Sequence, residues 1–245
     1  MTWTKKQALR EGKAKILYPV EESSEHLIQF FKDDATAFNA QKRGTIARKG
    51  VINNTVSSWI FTFLETQGVA THFEKQLSER EMLVKRVRII PVEVVLRNRA
   101  TGSIVQRLGL ENGLTFSTPL VEYFLKSDEL GDPLISENHI HHFNWATAAE
   151  LAAMKKLALR VNELLKPVFL ECGLDLIDFK LEFGIDVATG ALLLADEFTP
   201  DGCRLWDLKT GESMDKDRFR KDLGKVEESY EEVFQRLKQH FEASK

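Results

Sequence analysis

The sequence predicts an α+β protein with two sheet-containing lobes, a cleft between them and a helical C-terminal region. Three observations carry this. The first third is a succession of short runs rich in branched and aromatic residues, and the middle holds a long amphipathic helix. Directly after that helix comes a strand whose charges all fall on one face. The elements group into a β-rich lobe over residues 1–90, a central α+β lobe over 91–212 and a helical region over 213–245 that packs on the body, although no Pro/Gly-rich linker marks a sharp boundary.

In chain order, Ala14 to Val20, Leu27 to Lys32, Val69 to Leu77, Met82 to Ile90 and Val92 to Arg97 read as strands. Between the second and third, Val51, Ile52, Val56, Trp59, Ile60, Phe63 and Leu64 recur at helical spacing, and Gln67-Gly68 stops the pattern. Thr147-x-x-Glu150 is a capping box, after which Leu151, Met154, Leu157, Val161, Leu164, Leu165 and Val168 line one helical face. Pro167 has no N–H to donate, so it should kink or end this helix near its last turn, and Gly173 closes the segment. From Ile177 the period becomes two. Ile177, Phe179, Leu181 and Phe183 point one way, Asp178, Lys180 and Glu182 the other, and Gly184 ends the run. Thr189-Gly190 turns the chain into the apolar stretch Ala191 to Ala195, with Asp196-Glu197 at its end. Last, Phe219, Leu223, Val226, Tyr230, Val233 and Leu237 form a packing stripe, directed at the body of the protein or at a second subunit.

A chain of 245 residues can bury a sizeable core. Its net charge of -3 exerts no global pull on nucleic acid, so any anion site must be local and nucleic acid is not an expected partner. Cys172 and Cys203, the two cysteines, show neither metal-ligand spacing nor a disulfide framework, which fits a reducing compartment. With no apolar signal region and no run of membrane-spanning length, a cytoplasmic protein with no membrane partner is expected.

Several segments have the composition of an anion site. The charged hairpin offers carboxylates for a metal and an ammonium for phosphate oxygens, though mixed-charge faces also occur as ordinary solvated surface. In Pro91 to Ser103, alternation puts Glu93, Arg97 and Arg99 on one side of an apolar strand that ends in Thr-Gly-Ser. An Arg fork beside such a turn suits a phosphate monoester. Arg10-Glu11-Gly12-Lys13-Ala14-Lys15 could fold over nucleotide phosphates, but it lacks P-loop spacing. Arg48-Lys49-Gly50 opens a helix whose N–H groups could meet an anion or only solvent. Lys126-Ser127-Asp128 with Asp132-Pro133 is a polar loop. His139-Ile140-His141-His142 has no Cys or acidic partner at a helpful spacing and reads as a surface loop rather than a metal site, and the four tryptophans read as packing.

Ile90–Ser103 (I-P-V-E-V-V-L-R-N-R-A-T-G-S) and Leu176–Gly184 (L-I-D-F-K-L-E-F-G) closely resemble the two signature segments of the SAICAR synthetase family. E-G-K-A-K, R-K-G-V-I-N-N, the D-P turn and D-E-F-T-P-D-G-C-R-L-W-D follow in the family's order, so the resemblance runs from Glu11 to the C-terminal helix. It implies a SAICAR synthetase-like, ATP-grasp-related fold and a ligase of de novo purine biosynthesis. Such an enzyme joins the carboxylate of carboxyaminoimidazole ribotide (CAIR) to the amine of L-aspartate with ATP and Mg²⁺, and it is expected as a homodimer. By the same resemblance, Gly12, Lys13 and Lys15 cover the ATP phosphates, the adenine lies near Lys85, and Glu182 faces the nucleotide or its metal. Asp196 is the principal Mg²⁺ carboxylate, Lys180 faces the reacting groups, and Arg97, Ser103 and Arg204 hold the CAIR phosphate. The loop containing Asp132 serves CAIR or aspartate. Cys203 departs from the serine that is frequent there. A small-molecule kinase would share the lysine loop and Asp196 but need no second phosphate receptor, and a nucleotide- or RNA-binding module would interleave basic and aromatic residues on one surface.

Overall fold

The computed structural model describes residues 2–37 and 42–243. Strands β1 (Arg10–Glu11), β2 (Lys15–Pro19) and β3 (His26–Phe31) form an antiparallel meander, and β4 (Asp34–Ala37) pairs with β5 (Lys42–Thr45) as a separate hairpin. Helix α1 (Lys49–Thr66) leads to β6 (Phe73–Gln76) and β7 (Glu81–Lys85), which complete a five-stranded sheet in the order β1-β2-β3-β7-β6. After Arg86 comes β8 (Val87–Ile89), which belongs to another sheet. The single strand expected over Met82 to Ile90 is therefore two. The chain pairs with β3 as far as Lys85, and by Ile90 its N–H is bonded to the Phe183 carbonyl of the second sheet.

The chain continues through β9 (Val92–Arg99), α2 (Ser103–Leu108), β10 (Thr115–Leu125), β11 (Leu134–Ile135), α3 (Glu137–His142) and α4 (Ala148–Glu171). Then come β12 (Leu174–Asp186), β13 (Leu192–Ala195), β14 (Cys203–Asp207), α5 (Asp217–Arg220) and α6 (Val226–Ala243). β12 is the axis of the second sheet, which among the described residues follows β11-β10-β9-β12-β13 with β14 and β8 also on β12. Its 13 residues are long enough to pair β14 and β9 over the first part and β13 and β8 over the second.

Two local expectations are corrected. Gly184 does not end β12, which runs on to Asp186; a Cβ there would lie 2.6 Å from Val87 Cγ2, so the glycine makes room for β8. Pro167 stands one turn before the end of α4 at Glu171, near the last turn as expected. The backbone bond lost there is outweighed by burial of Val168 and Phe169 beyond it. Residues 139–142 fall in the short helix α3, started by a Ser136–His139 capping box, rather than in a loop.

Helix α1 backs the five-stranded sheet, α4 backs β12 and β9, and α6 lies against α1 and α4. The apolar partners of these helices form one continuous core that includes Phe179, Leu181 and Phe183 of β12. The C-terminal stripe divides: Asp222, Gly224 and Lys225 take positive φ between α5 and α6, and Leu223 turns to solvent. Beyond that break Tyr230, Val233 and Leu237 are buried within the chain, and Trp59 stacks on Phe234 with ring centroids 5.5 Å apart. The stripe thus packs on the body. Among the described residues, no helix is long and apolar enough to cross a membrane.

Candidate active site

Two cavities, of about 330 and 390 Å³, open along the charged face of β12 and share Glu93, Asp132, Lys180, Asp201 and Gly202 as common wall. The first lies between the two sheets. Gly12 donates its N–H to the Lys15 carbonyl at 2.8 Å, closing the turn that delivers Lys13 and Lys15. Lys13 Nζ reaches Asp128 Oδ1 at 2.6 Å, and Lys15 pairs with Asp196 while standing 3.3 Å from Glu197 Oε1. Asp196 holds a left-handed backbone, φ 66°, a conformation an aspartate tolerates better than most residues. Its carbonyl accepts from Gln29 Nε2 at 3.2 Å. On β12, Lys180 Nζ bridges Glu182 Oε1 at 2.6 Å and Glu93 Oε1 at 2.8 Å, and Lys126 Nζ takes the same Glu182 oxygen at 2.7 Å.

The electrostatics follow from this packing. Burial alone would raise the carboxyl of Asp196, but the ammonium of Lys15, with Lys180 and Lys126 behind it, holds it far below the usual carboxylate range. Glu182 behaves alike: burial and the charge of Asp196 push it up, and Lys180 and Lys126 more than reverse this. Burial wins at Glu93 and Glu197, whose carboxyls are raised. His72 also lines the cavity, is pushed by burial to about 4 and is therefore neutral near pH 7.

The second cavity is an arginine site. Register sets Arg97 on β9 opposite Asp178 on β12, and Arg204 on β14 opposite the same residue. Both guanidinium groups converge on Asp178 Oδ2, at 2.7 and 2.8 Å. Arg97 Nε also donates to Glu122 at 2.6 Å, and Arg204 Nε to Asp217 at 3.1 Å. Gly102 sits at φ +65°, where an added Cβ would come 2.7 Å from Arg204 Nη2; the bare backbone lets the turn close over that side chain. Ser103 heads α2 at the cavity wall, its hydroxyl accepting from Arg107 Nη1 at 2.8 Å.

The sequence-selected residues therefore gather around one double cavity. Gly12, Lys13, Lys15, Lys85, Glu182 and Asp196 line the first, Arg97, Ser103 and Arg204 the second, and Asp132 and Lys180 both. Lys85 pairs with Glu74 at 3.3 Å, and Val87 and Ile89 continue the wall beyond it. Two candidates lie elsewhere. Arg99 reaches Asp175 at 2.8 Å, and the start of α1 faces no anion cavity: the Gly50 N–H is taken by Asp33 Oδ1 at 2.8 Å. Lys49 is instead fully buried on Asp201. Sequence reasoning missed Gln29, His72, Lys216 and Arg220, which come from distant segments and carry no local motif. Glu197 could have been found by its place beside Asp196.

Among the described residues, no cluster of three or more His, Cys, Asp or Glu stands ready for a metal ion. Two ionised carboxylates in a lysine-rich cavity do fit Mg²⁺, which takes one or two carboxylates and fills its shell with water and phosphate oxygens. They do not fit a closed zinc site.

Comparison with known proteins agrees with this geometry. Residues 8–237 match the family model described as SAICAR synthetase. The phosphoribosylaminoimidazole-succinocarboxamide synthase of Magnetococcus marinus is 52% identical over 234 residues, covering 95% of this chain and 96% of that protein. The crystal structure of the synthase of that name from Ehrlichia chaffeensis superposes with a TM-score of 0.92 at 45% identity, covering 95% of this chain and 98% of that one. A type-2 SAICAR synthetase in complex with ADP superposes at 0.90 with 41% identity, covering 94% and 97%. With both signature segments on the walls of one double cavity and the match extending over nearly the whole chain, this protein belongs to the SAICAR synthetase family.

Proposed function

We propose that this chain joins the carboxylate of CAIR to the amine of L-aspartate, converting ATP to ADP and phosphate, as a cytoplasmic enzyme of de novo purine synthesis. One observation carries the reading: a lysine–carboxylate cavity and an arginine cavity meet at a wall containing Lys180. A carboxylate is a poor acyl donor because oxide would have to leave. In the first step a CAIR carboxylate oxygen attacks the γ-phosphorus, the bond to the bridging oxygen breaks, and ADP departs with its electron pair. In the second the aspartate nitrogen, once deprotonated, attacks the acyl carbon. The C–N bond forms, phosphate leaves with the C–O pair, and the nitrogen gives up another proton. The protein's work is to hold anions together and keep water from the acyl phosphate.

On this reading the 1–90 lobe takes the nucleotide and the 91–212 lobe the other substrates. Gly12, Lys13 and Lys15 neutralise the phosphates, and Lys85 flanks the adenine. Lys180, already at the shared wall, follows the charge that moves from γ-phosphate to acyl phosphate. Arg204 and Ser103 meet the CAIR phosphate, with Arg97 fixing Asp178 beneath Arg204. Glu182 and Asp196 would hold Mg²⁺, which supplies positive charge to the phosphate oxygens. Asp132 lies on the common wall, where it can serve either CAIR or aspartate. A homodimer belongs to the same reading. Because α6 spends its apolar face inside the chain, the partner would meet another surface.

The test is ADP release from ATP by purified protein with CAIR and Mg²⁺, with and without L-aspartate. The expected result needs both substrates, is abolished by chelator, and yields a product absorbing as the succinocarboxamide. Equal release without aspartate, or no turnover by folded protein that binds ATP, overturns the reading. Sedimentation velocity reads the dimer separately.

A further inference from the structure

Two cations beside the shared wall have no part in the reaction as described. Lys216 lines the first cavity and Arg220 the second, on either side of the Asp201–Gly202 turn. They are four residues apart, with the Arg220 N–H bonded to the Lys216 carbonyl at 3.0 Å, so both side chains leave one face of a helical turn. Like charges at that spacing repel unless an anion lies between them.

Their counter-charge is thin. Lys216 Nζ reaches Asp201 Oδ2 at 3.3 Å, an oxygen that already holds the closer Lys49 at 2.9 Å. Asp201 Oδ1 is engaged by the Tyr230 hydroxyl at 2.5 Å. Arg220 Nη1 meets Asp217 Oδ1 at 2.6 Å, but Asp217 serves Arg204 and Lys221 as well. Burial, opposed chiefly by Asp201, leaves the Lys216 ammonium below its ordinary range. Both cations thus share their carboxylates with other cations and keep N–H donors for a further anion where the two cavities join.

Among the substrates of the ligase reading, L-aspartate brings two carboxylates close together, and neither yet has a partner. We infer that Lys216 and Arg220 hold these two carboxylates, one from each side of the Asp201–Gly202 turn, directing the amine toward the wall of Lys180 and Glu93. The inference rests on the ligase reading. It accounts for a dicarboxylic substrate, since a monocarboxylic amino acid would leave one of the two cations without a substrate anion.

Kinetics of Lys216→Met, Arg220→Met and Arg220→Lys test it, with hydroxylamine as a second nucleophile that traps acyl phosphate as hydroxamate and brings no carboxylate. The KM for L-aspartate should rise at least about tenfold in each Met variant. The KM values for ATP and CAIR should move by less than about twofold, Arg220→Lys should recover part of the loss, and hydroxamate should still form. An unchanged aspartate KM in a folded variant, or an equal rise for CAIR, overturns the assignment. If Lys216→Met does not fold, the two Arg220 variants decide alone. Wild-type protein that forms neither hydroxamate nor the succinocarboxamide would instead sink the ligase reading itself.

Discussion

The two cavities are charged by different means. In the first the principal cations are lysines, each on a carboxylate through a single ammonium: Lys13 on Asp128, Lys15 on Asp196, Lys126 and Lys180 on Glu182. In the second the principal cations are arginines fixed at two or more atoms: Arg97 between Glu122 and Asp178, Arg204 between Asp178 and Asp217. An ammonium on a four-carbon stem changes partners by bond rotation, whereas a guanidinium fork in a buried network does not. The lysine side suits a phosphoryl group in transit. The arginine side suits a phosphate monoester that binds, stays and leaves unchanged. Rate should therefore be concentrated on one side and stability on the other.

The largest effect belongs to Asp196→Asn. It should lower turnover by about a thousandfold or more, because the charge facing the metal and phosphates is lost, while Lys15 keeps Glu197 as a partner and the loss of urea stability stays smaller than the loss of rate. A loss of fold comparable to the loss of rate would erase the distinction between the cavities. Arg97→Leu should do the reverse, leaving Asp178 and Glu122 each short of a partner and costing about 3 kcal/mol of stability in urea unfolding. A stable, merely slow Arg97→Leu protein would make Arg97 a substrate ligand and not part of the frame.

Asp215 supplies a pH test on the arginine side. It is fully buried beneath β14, accepting the Leu205 N–H at 2.9 Å and the Asp217 N–H at 2.7 Å. Burial, and next the charge of Asp217, push its carboxyl from 3.8 up to about 6. A carboxyl raised by folding favours the protonated native state, so its contribution is complete below the unfolded value and is lost as pH rises through about 6. Two units correspond to on the order of 3 kcal/mol. Urea unfolding at about pH 4.5 and pH 7 should show this decline in the wild type and a flatter profile in Asp215→Asn. Equal slopes would remove Asp215 from the account. The smallest effect is expected for Cys203→Ser. The Cys203 N–H is bonded to the Thr199 carbonyl at 3.1 Å and the side chain is buried, so the KM for CAIR should change by less than about threefold.

Much of this contrast was legible in the chain. The period of two in Asp178-Phe179-Lys180-Leu181-Glu182 fixes which side chains share a face, whatever the strand pairs with. The Thr147–Glu150 capping box starts α4 as expected, because capping is a contact between near neighbours. At Gly184 local preference gave way to tertiary packing: the strand runs on because the glycine makes room for β8. Lys216 and Arg220 carried no signal, since two cations on a short helical turn look the same in solvent as at a cavity wall.

By itself the sequence determined the alternating charged strand, the helical faces, the Thr-Gly-Ser turn and the family to which these belong, all of which depend on residues close along the chain. The tertiary structure alone decided that Lys15 would meet Asp196, Lys13 would meet Asp128, and Arg97 and Arg204 would share Asp178. Those pairs join residues from different strands and loops, and strand register and the packing of one sheet on the other select them. An ionisable side chain acquires its partner, its burial and so its chemistry only when distant segments close around it.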